Sequence, residues 1–84
     1  MRNIQKYLQS KTEFLYADCR GRENFIKKEL LRRQRNRCPI CGVILLHNNG
    51  VLEHNHNSGI IRGFVHGRCN TQIAFFEKFQ IFLQ

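Results

Sequence analysis

The stretch from Glu53 to Asn70 reads EHNHNSGIIRGFVHGRCN. It gathers three of the chain's four histidines, a carboxylate and a cysteine. It ends on His66-Gly-Arg-Cys69, two metal-ligating residue types with two residues between them. Upstream, Cys38-Pro-Ile-Cys41 repeats that spacing. Two intervening residues form a tight turn that brings both side chains to one ion. Two such pairs predict a tetrahedral structural zinc site of Cys38, Cys41, His66 and Cys69. His47, His54 and His56 stand as alternatives to His66 for the fourth place. Cys19 has no such neighbour and reads as a small buried hydrophobe.

The surroundings of the two pairs set the fold class. Pro39 cannot extend a preceding helix, and Gly42 permits a tight turn. Residues 43–56, VILLHNNGVLEHNH, hold two apolar segments around Asn49-Gly50, which predicts a hairpin. A polar loop then leads to IIRGFVH, a further strand, and residues 69–84 predict a helix capped by Asn70 or Thr71. Before the first cysteine, residues 2–17 read as one helix, or as two divided at the capping box Ser10–Glu13. Gly21 marks a break, and residues 22–36 read as a second helix. Ile26 and Leu30 form its apolar face with Phe25 and Leu31 beside them, and Glu23/Lys27 and Glu29/Arg33 are spaced as i,i+4 pairs. The expected class is α+β: a small zinc-stabilised treble-clef finger with N-terminal helices and a C-terminal helix.

With 84 residues the chain makes a single domain, 1–84. Its basic helical region is 1–37 and its metal-bound core is 38–84. A core this small commonly needs a metal or a disulfide. No secretory leader is readable at the N-terminus, and no stretch approaches the roughly 20 apolar residues of a membrane span. The expected setting is therefore intracellular and reducing, where Cys-x-x-Cys reads as a metal site. The net charge is +8. Residues 1–37 carry eleven basic and four acidic residues, whereas residues 38–84 carry three and two. Such a basic block suits DNA, because neutralised phosphates release counterions. Arg32, Arg33, Arg35, Arg62 and Arg68 are the expected phosphate contacts.

Zinc accounts for one histidine at most, which leaves Glu53, His54, His56 and Asn70. Here the chain resembles the HNH (ββα-metal) nucleases of the recombination endonuclease VII type. That family carries C-x-x-C, then D-H-x-H, a short loop, V-R-G, and C-x-x-C-N. The likeness covers about residues 38–71. Two positions differ: His66 stands for a cysteine and Glu53 for an aspartate. The resemblance implies a metal-dependent DNA endonuclease, fit for a phage-encoded protein acting in a bacterial host. It implies that His54 is the general base and that Glu53 and Asn70 hold a catalytic Mg²⁺ or Mn²⁺. It further implies that His56 orients groups at the site. Histidine suits the base because its ordinary pKa near 6.5 leaves it largely neutral at pH 7. In a regular strand Glu53 and His54 point to opposite faces, so one shared site requires the strand to end or bulge there.

Two other functions compete. One is a catalytically degenerate treble-clef module that binds DNA or protein, favoured by Glu53 in place of aspartate. The other is a small regulator of a host polymerase or repair protein. The C-terminal run IAFFEKFQIFL is apolar nearly all round, with Phe75, Phe79 and Phe82. That predicts a homodimer through this helix, against the alternative of a fully intrachain core.

Overall fold

The computed structural model describes the backbone of residues 4–83 and the side chains of residues 4–78. Among the described residues the order is α1 (Ile4–Tyr7), a 3₁₀ turn (Tyr16–Asp18), α2 (Glu23–Arg33), β1 (Gly50–His54), β2 (Ile61–His66) and α3 (Gly67–Leu83). The fold is α+β, with a two-stranded antiparallel sheet and three helices.

The second helix follows the pattern read from its sequence. Ile26, Leu30 and Leu31 are buried on one face, while Phe25 is exposed. Glu29 bonds both Arg32 and Arg33 at 2.7 Å. Glu23 opens the helix and two arginines close it, which suits the helix dipole. The helix ends through two left-handed residues, Arg35 at φ 57° and Asn36 at φ 59°. The Asn36 N–H reaches back to the Leu31 carbonyl at 2.8 Å, satisfying the open helix end. This double turn delivers the chain directly to Cys38.

Two expected elements are absent among the described residues. The first is most of the helix over residues 2–17. Residues 4–7 alone of this stretch are α-helical, and residues 12–16 instead run along Gly59–Ile61, where the chain enters β2. There the Thr12 N–H donates to Ile61 O at 3.2 Å, and the Ile61 N–H donates to Phe14 O at 2.9 Å. Backbone partners on β2 thus replace partners within a helix. The second is the strand expected before Asn49-Gly50. Residues 43–46 make a single bridge, Ile44 with Arg37, and Leu45 N–H donates to Asn36 O at 2.8 Å. These groups close the turn around the first cysteine pair, so β1 pairs with β2 instead. The third helix begins at Gly67, earlier than the expected cap at Asn70 or Thr71.

The core lies where the sheet meets α2, α3 and the cysteine turn. Ile26, Leu45, Ile61, Phe64, Val65 and Ile73 are almost fully buried. Each such side chain contributes about 1.5–3 kcal/mol over an exposed one. Cys19 is buried as expected. On α3, Ile73 is buried and Phe76 packs against the core, whereas Phe75 is 71% exposed. The side chains of Phe79, Ile81, Phe82 and Leu83, on which the homodimer reading also rests, lie outside the described residues. No helix among the described residues is long and apolar enough to cross a membrane.

Candidate metal centre and cleft

The two ligand pairs converge. Cys38 and Cys41 sit on the turn after α2, in which Gly42 adopts φ 76°. His66 ends β2, and Cys69 lies in the first turn of α3. Their ligand atoms all fall within 4.8 Å of one another. That spread suits a tetrahedral ion with metal–sulfur bonds of about 2.3 Å. His66 is the histidine of the quartet. Its Nδ1 lies 3.4 Å from Cys41 Sγ, and its Nε2 lies 3.1 Å from the Ile44 carbonyl. A histidine ligand commonly donates its second ring N–H to such a carbonyl, which fixes tautomer and orientation. The thiols already differ in acidity. Burial raises Cys69, and neighbouring Cys38 and Cys41 raise it further. For Cys41, burial opposes the trend, but hydrogen bonds from the Val43 backbone and the other ligands bring its pKa down.

Glu53 and His54 part company at the end of β1. The register shifts between them, so Glu53 pairs with Gly63 and His54 with Ile61. Glu53 turns inward. Arg62 holds both its oxygens, through Nε at 2.9 Å and through Nη2, and the Tyr7 hydroxyl donates to Oε1 at 2.9 Å. Burial, followed by the Glu53 charge, pushes the Tyr7 hydroxyl far up, so it remains a donor. Arg62 also bonds Glu77 on α3 at 3.2 Å and the His54 carbonyl at 3.2 Å. Gly63 makes room for this arrangement. A Cβ there would lie 2.9 Å from the Tyr7 hydroxyl oxygen and 3.2 Å from Gln34 Oε1.

This placement corrects one expectation and changes another. The Arg62 side chain is 2% exposed and fully engaged with carboxylates, so it is not a surface contact for phosphate. Glu53 is equally enclosed, and in this conformation its carboxylate does not fit the role of direct cation ligand. Arg32, Arg33, Arg35 and Arg68 are all exposed. Arg32 and Arg33 are partly neutralised by Glu29, and Arg33 also pairs with Glu13 at 2.6 Å.

His54 is half-buried, and its ring meets two other rings. Its ring stacks on Tyr16 with centroids 4.0 Å apart and 16° between planes. The His56 ring meets it edge-on at 4.8 Å. Burial, and then the neighbouring His56, hold the His54 pKa below the ordinary histidine value, which favours the neutral, proton-accepting form. Beside it, a cleft of about 290 Å³ opens between Asn55, His56 and Asn57 on one side and Ala74, Glu77 and Lys78 on the other. Asn70 is half-buried in the first turn of α3, four residues before Ala74 and seven before Glu77. Helical spacing puts the three on one face.

The roles of Tyr7, Tyr16 and Glu77 around these residues were not read from the sequence. Tyr16 lies 38 residues before His54, and nothing local joins them. The seven-residue spacing from Asn70 to Glu77, two helical turns, was the available signal for the carboxylate on α3.

Comparison with curated proteins and with solved structures finds no match. A family model described as Recombination endonuclease VII matches residues 7–84, spanning the segment along β2, both ligand pairs and α3. The chain belongs to the recombination endonuclease VII family, whose description implies a nuclease acting on DNA.

Proposed function

We propose that the chain is an HNH-type endonuclease that hydrolyses DNA phosphodiester bonds on a zinc-held treble-clef, ββα-metal frame. The observation that carries the reading is the placement of His54. A half-buried histidine held toward its neutral form stands against Tyr16 and His56, beside a cleft floored by α3. The cysteine turn, β1, β2 and α3 follow in the order such a frame requires.

Cys38, Cys41, Cys69 and His66 Nδ1 would hold zinc, which when bound supplies folding energy to a small core. His54 accepts a proton from water as the water oxygen forms its bond to phosphorus. The bond from phosphorus to the 3′-oxygen then breaks, and that oxygen takes up a proton from solvent. His56 supports the His54 ring from its edge and lines the cleft. Asn70 stands on the cleft face of α3, where its amide can orient the phosphate or water. Glu53 acts through its anchoring of Arg62, which holds the His54 carbonyl. The exposed Arg32, Arg33, Arg35 and Arg68 supply the field that draws DNA in. Structure-selective or weakly specific cleavage is part of the proposal.

With Glu53 engaged by Arg62, a divalent cation in the same proposal would find its protein ligand in Asn70 on the cleft face of α3, and Mg²⁺ or Mn²⁺ bound there would supply charge stabilisation at a phosphate. The test is nicking of supercoiled and branched DNA by zinc-loaded protein with Mg²⁺ or Mn²⁺, with His54→Ala as control. Cleavage by the natural chain and not by the variant supports the reading. Folded, zinc-loaded protein that binds DNA but cuts none of these substrates would favour the degenerate binding module, which the enclosure of Glu53 also suits. A homodimer through α3 is a separable part of the proposal, and Phe75 is the exposed aromatic side chain on α3, among the described residues, that would enter it. Sedimentation showing a monomer at high concentration removes it.

A further inference from the structure

We propose that Tyr16 is a positioning residue for His54, holding the imidazole by face-to-face stacking in the orientation that meets the attacking water. The inference rests on the nuclease reading above and adds to it a residue from the far end of the chain.

A histidine side chain at a strand end turns about two torsions, and its second torsion has broad minima. A general base works only when its nitrogen lies within about 2.6–3.2 Å of the proton it takes. Something must therefore restrain the ring. Here Tyr16 covers one face at 4.0 Å and 16°, and His56 abuts it at 4.8 Å and 82°. The supports behind both rings are fastened. The Tyr16 N–H donates to Gly59 O at 2.7 Å, and Leu15 pairs with Ile60. Asn55 closes the loop that carries His56, its Oδ1 accepting from the N–H groups of Asn57 at 2.8 Å and Ser58 at 3.1 Å. The 3₁₀ turn and the loop thus form one brace around His54.

Tyr16 itself has little to do in the core. It is 53% exposed and forms no part of the buried cluster. An exposed aromatic ring laid flat on a half-buried histidine is placed to serve that histidine. For the same reason its loss should leave the fold intact.

The experiment compares the natural chain with Tyr16→Ala and Tyr16→Phe, after zinc content and melting temperature show all three folded. Steady-state cleavage of a nicked-product DNA assay gives kcat and KM separately. Proton NMR of the imidazole reads the stacking, since a ring over its face shifts the His54 ring protons upfield. Tyr16→Ala should lower kcat by about 10- to 100-fold, the scale of a misplaced catalytic group, with KM unchanged. Its His54 resonances should move downfield. Tyr16→Phe, which keeps the ring, should retain both kcat and shifts. An active natural chain whose Tyr16→Ala variant keeps full kcat overturns the inference and leaves the nuclease reading standing. So does a variant that raises KM at constant kcat, because Tyr16 would then contact DNA. A natural chain that cuts nothing overturns the nuclease reading, and this inference with it.

Discussion

Arg62 grips Glu53 with Nε and Nη2, both side chains sealed from solvent at 2% and 4% exposure. Removing one partner from such a pair leaves the other charge buried and uncompensated. Arg62→Ala should therefore destabilise the zinc-loaded protein by about 3–5 kcal/mol. Arg62→Lys should recover only part of this, because an ammonium lacks the planar fork that spans both oxygens. Denaturant unfolding of the three proteins checks the order.

The metal cluster predicts one zinc per chain. Cys38→Ser and Cys69→Ser should abolish tight zinc binding and cooperative unfolding together, since metal binding and folding are one equilibrium in small metal-held domains. His66→Cys should keep both, as a four-cysteine set binds zinc equally well. Metal analysis paired with circular dichroism melting separates these outcomes.

His54→Ala should reduce cleavage by about 10²–10⁴-fold, the usual contribution of a general base. Zinc content, melting temperature and DNA affinity should remain those of the natural chain, because the His54 side chain lies outside both the buried core cluster and the ligand quartet. Single-turnover cleavage beside equilibrium binding is the measurement.

Exposed and buried arginines should behave differently toward DNA. Arg35 and Arg68 are exposed, and among the described residues neither is paired with a carboxylate. Alanine at either should lower the slope of log affinity against log salt by about one. Arg32 and Arg33, already facing Glu29 and Glu13, should each change it less. Titrations at several salt concentrations test this ranking.

Acid should loosen the segment that carries Tyr16. Hydrogen bonding from Arg33 holds the Glu13 carboxyl down at about 2, against an ordinary value of 4.5. A depressed carboxylate contributes its stabilisation fully above 4.5 and loses it as the pH falls toward 2. Protection of the amides of residues 12–16, taken relative to intrinsic exchange at each pH, should therefore fall as the pH drops from 4.5 toward 2 and return when the pH is raised. Glu13→Gln should remove this pH dependence while leaving α2 unchanged.

The legible parts of the fold were those fixed by local spacing. Within each ligand pair, Cys38 with Cys41 and His66 with Cys69, two intervening residues are few enough for sequence distance to set spatial distance. The apolar face of α2 follows from periodicity, whereas β2 is buried along nearly its whole length, Arg62 included. The hairpin at Asn49-Gly50 misled because the apolar run 43–46 looks like a strand, whereas its backbone closes the cysteine turn. The helix over 2–17 misled because Gly59, Ile60 and Ile61 offered residues 12–16 backbone partners that no local pattern announces. The inward turn of Glu53 depends on an arginine nine residues on and a tyrosine 46 residues back. Such meetings are set by the assembled core, and adjacent sequence carries no trace of them.

Gln34 sends its amide to β2, accepting from the Phe64 N–H at 2.9 Å and donating to the Phe64 carbonyl at 2.8 Å. With Thr12 and Phe14 engaging Ile61, the rim of β2 away from β1 is already occupied by the chain itself. A foreign strand finds no row of open main-chain groups there to extend the sheet. Association with a second protein by strand addition is thereby closed off on that side, and a partner approaching that rim must be met through side chains and charge.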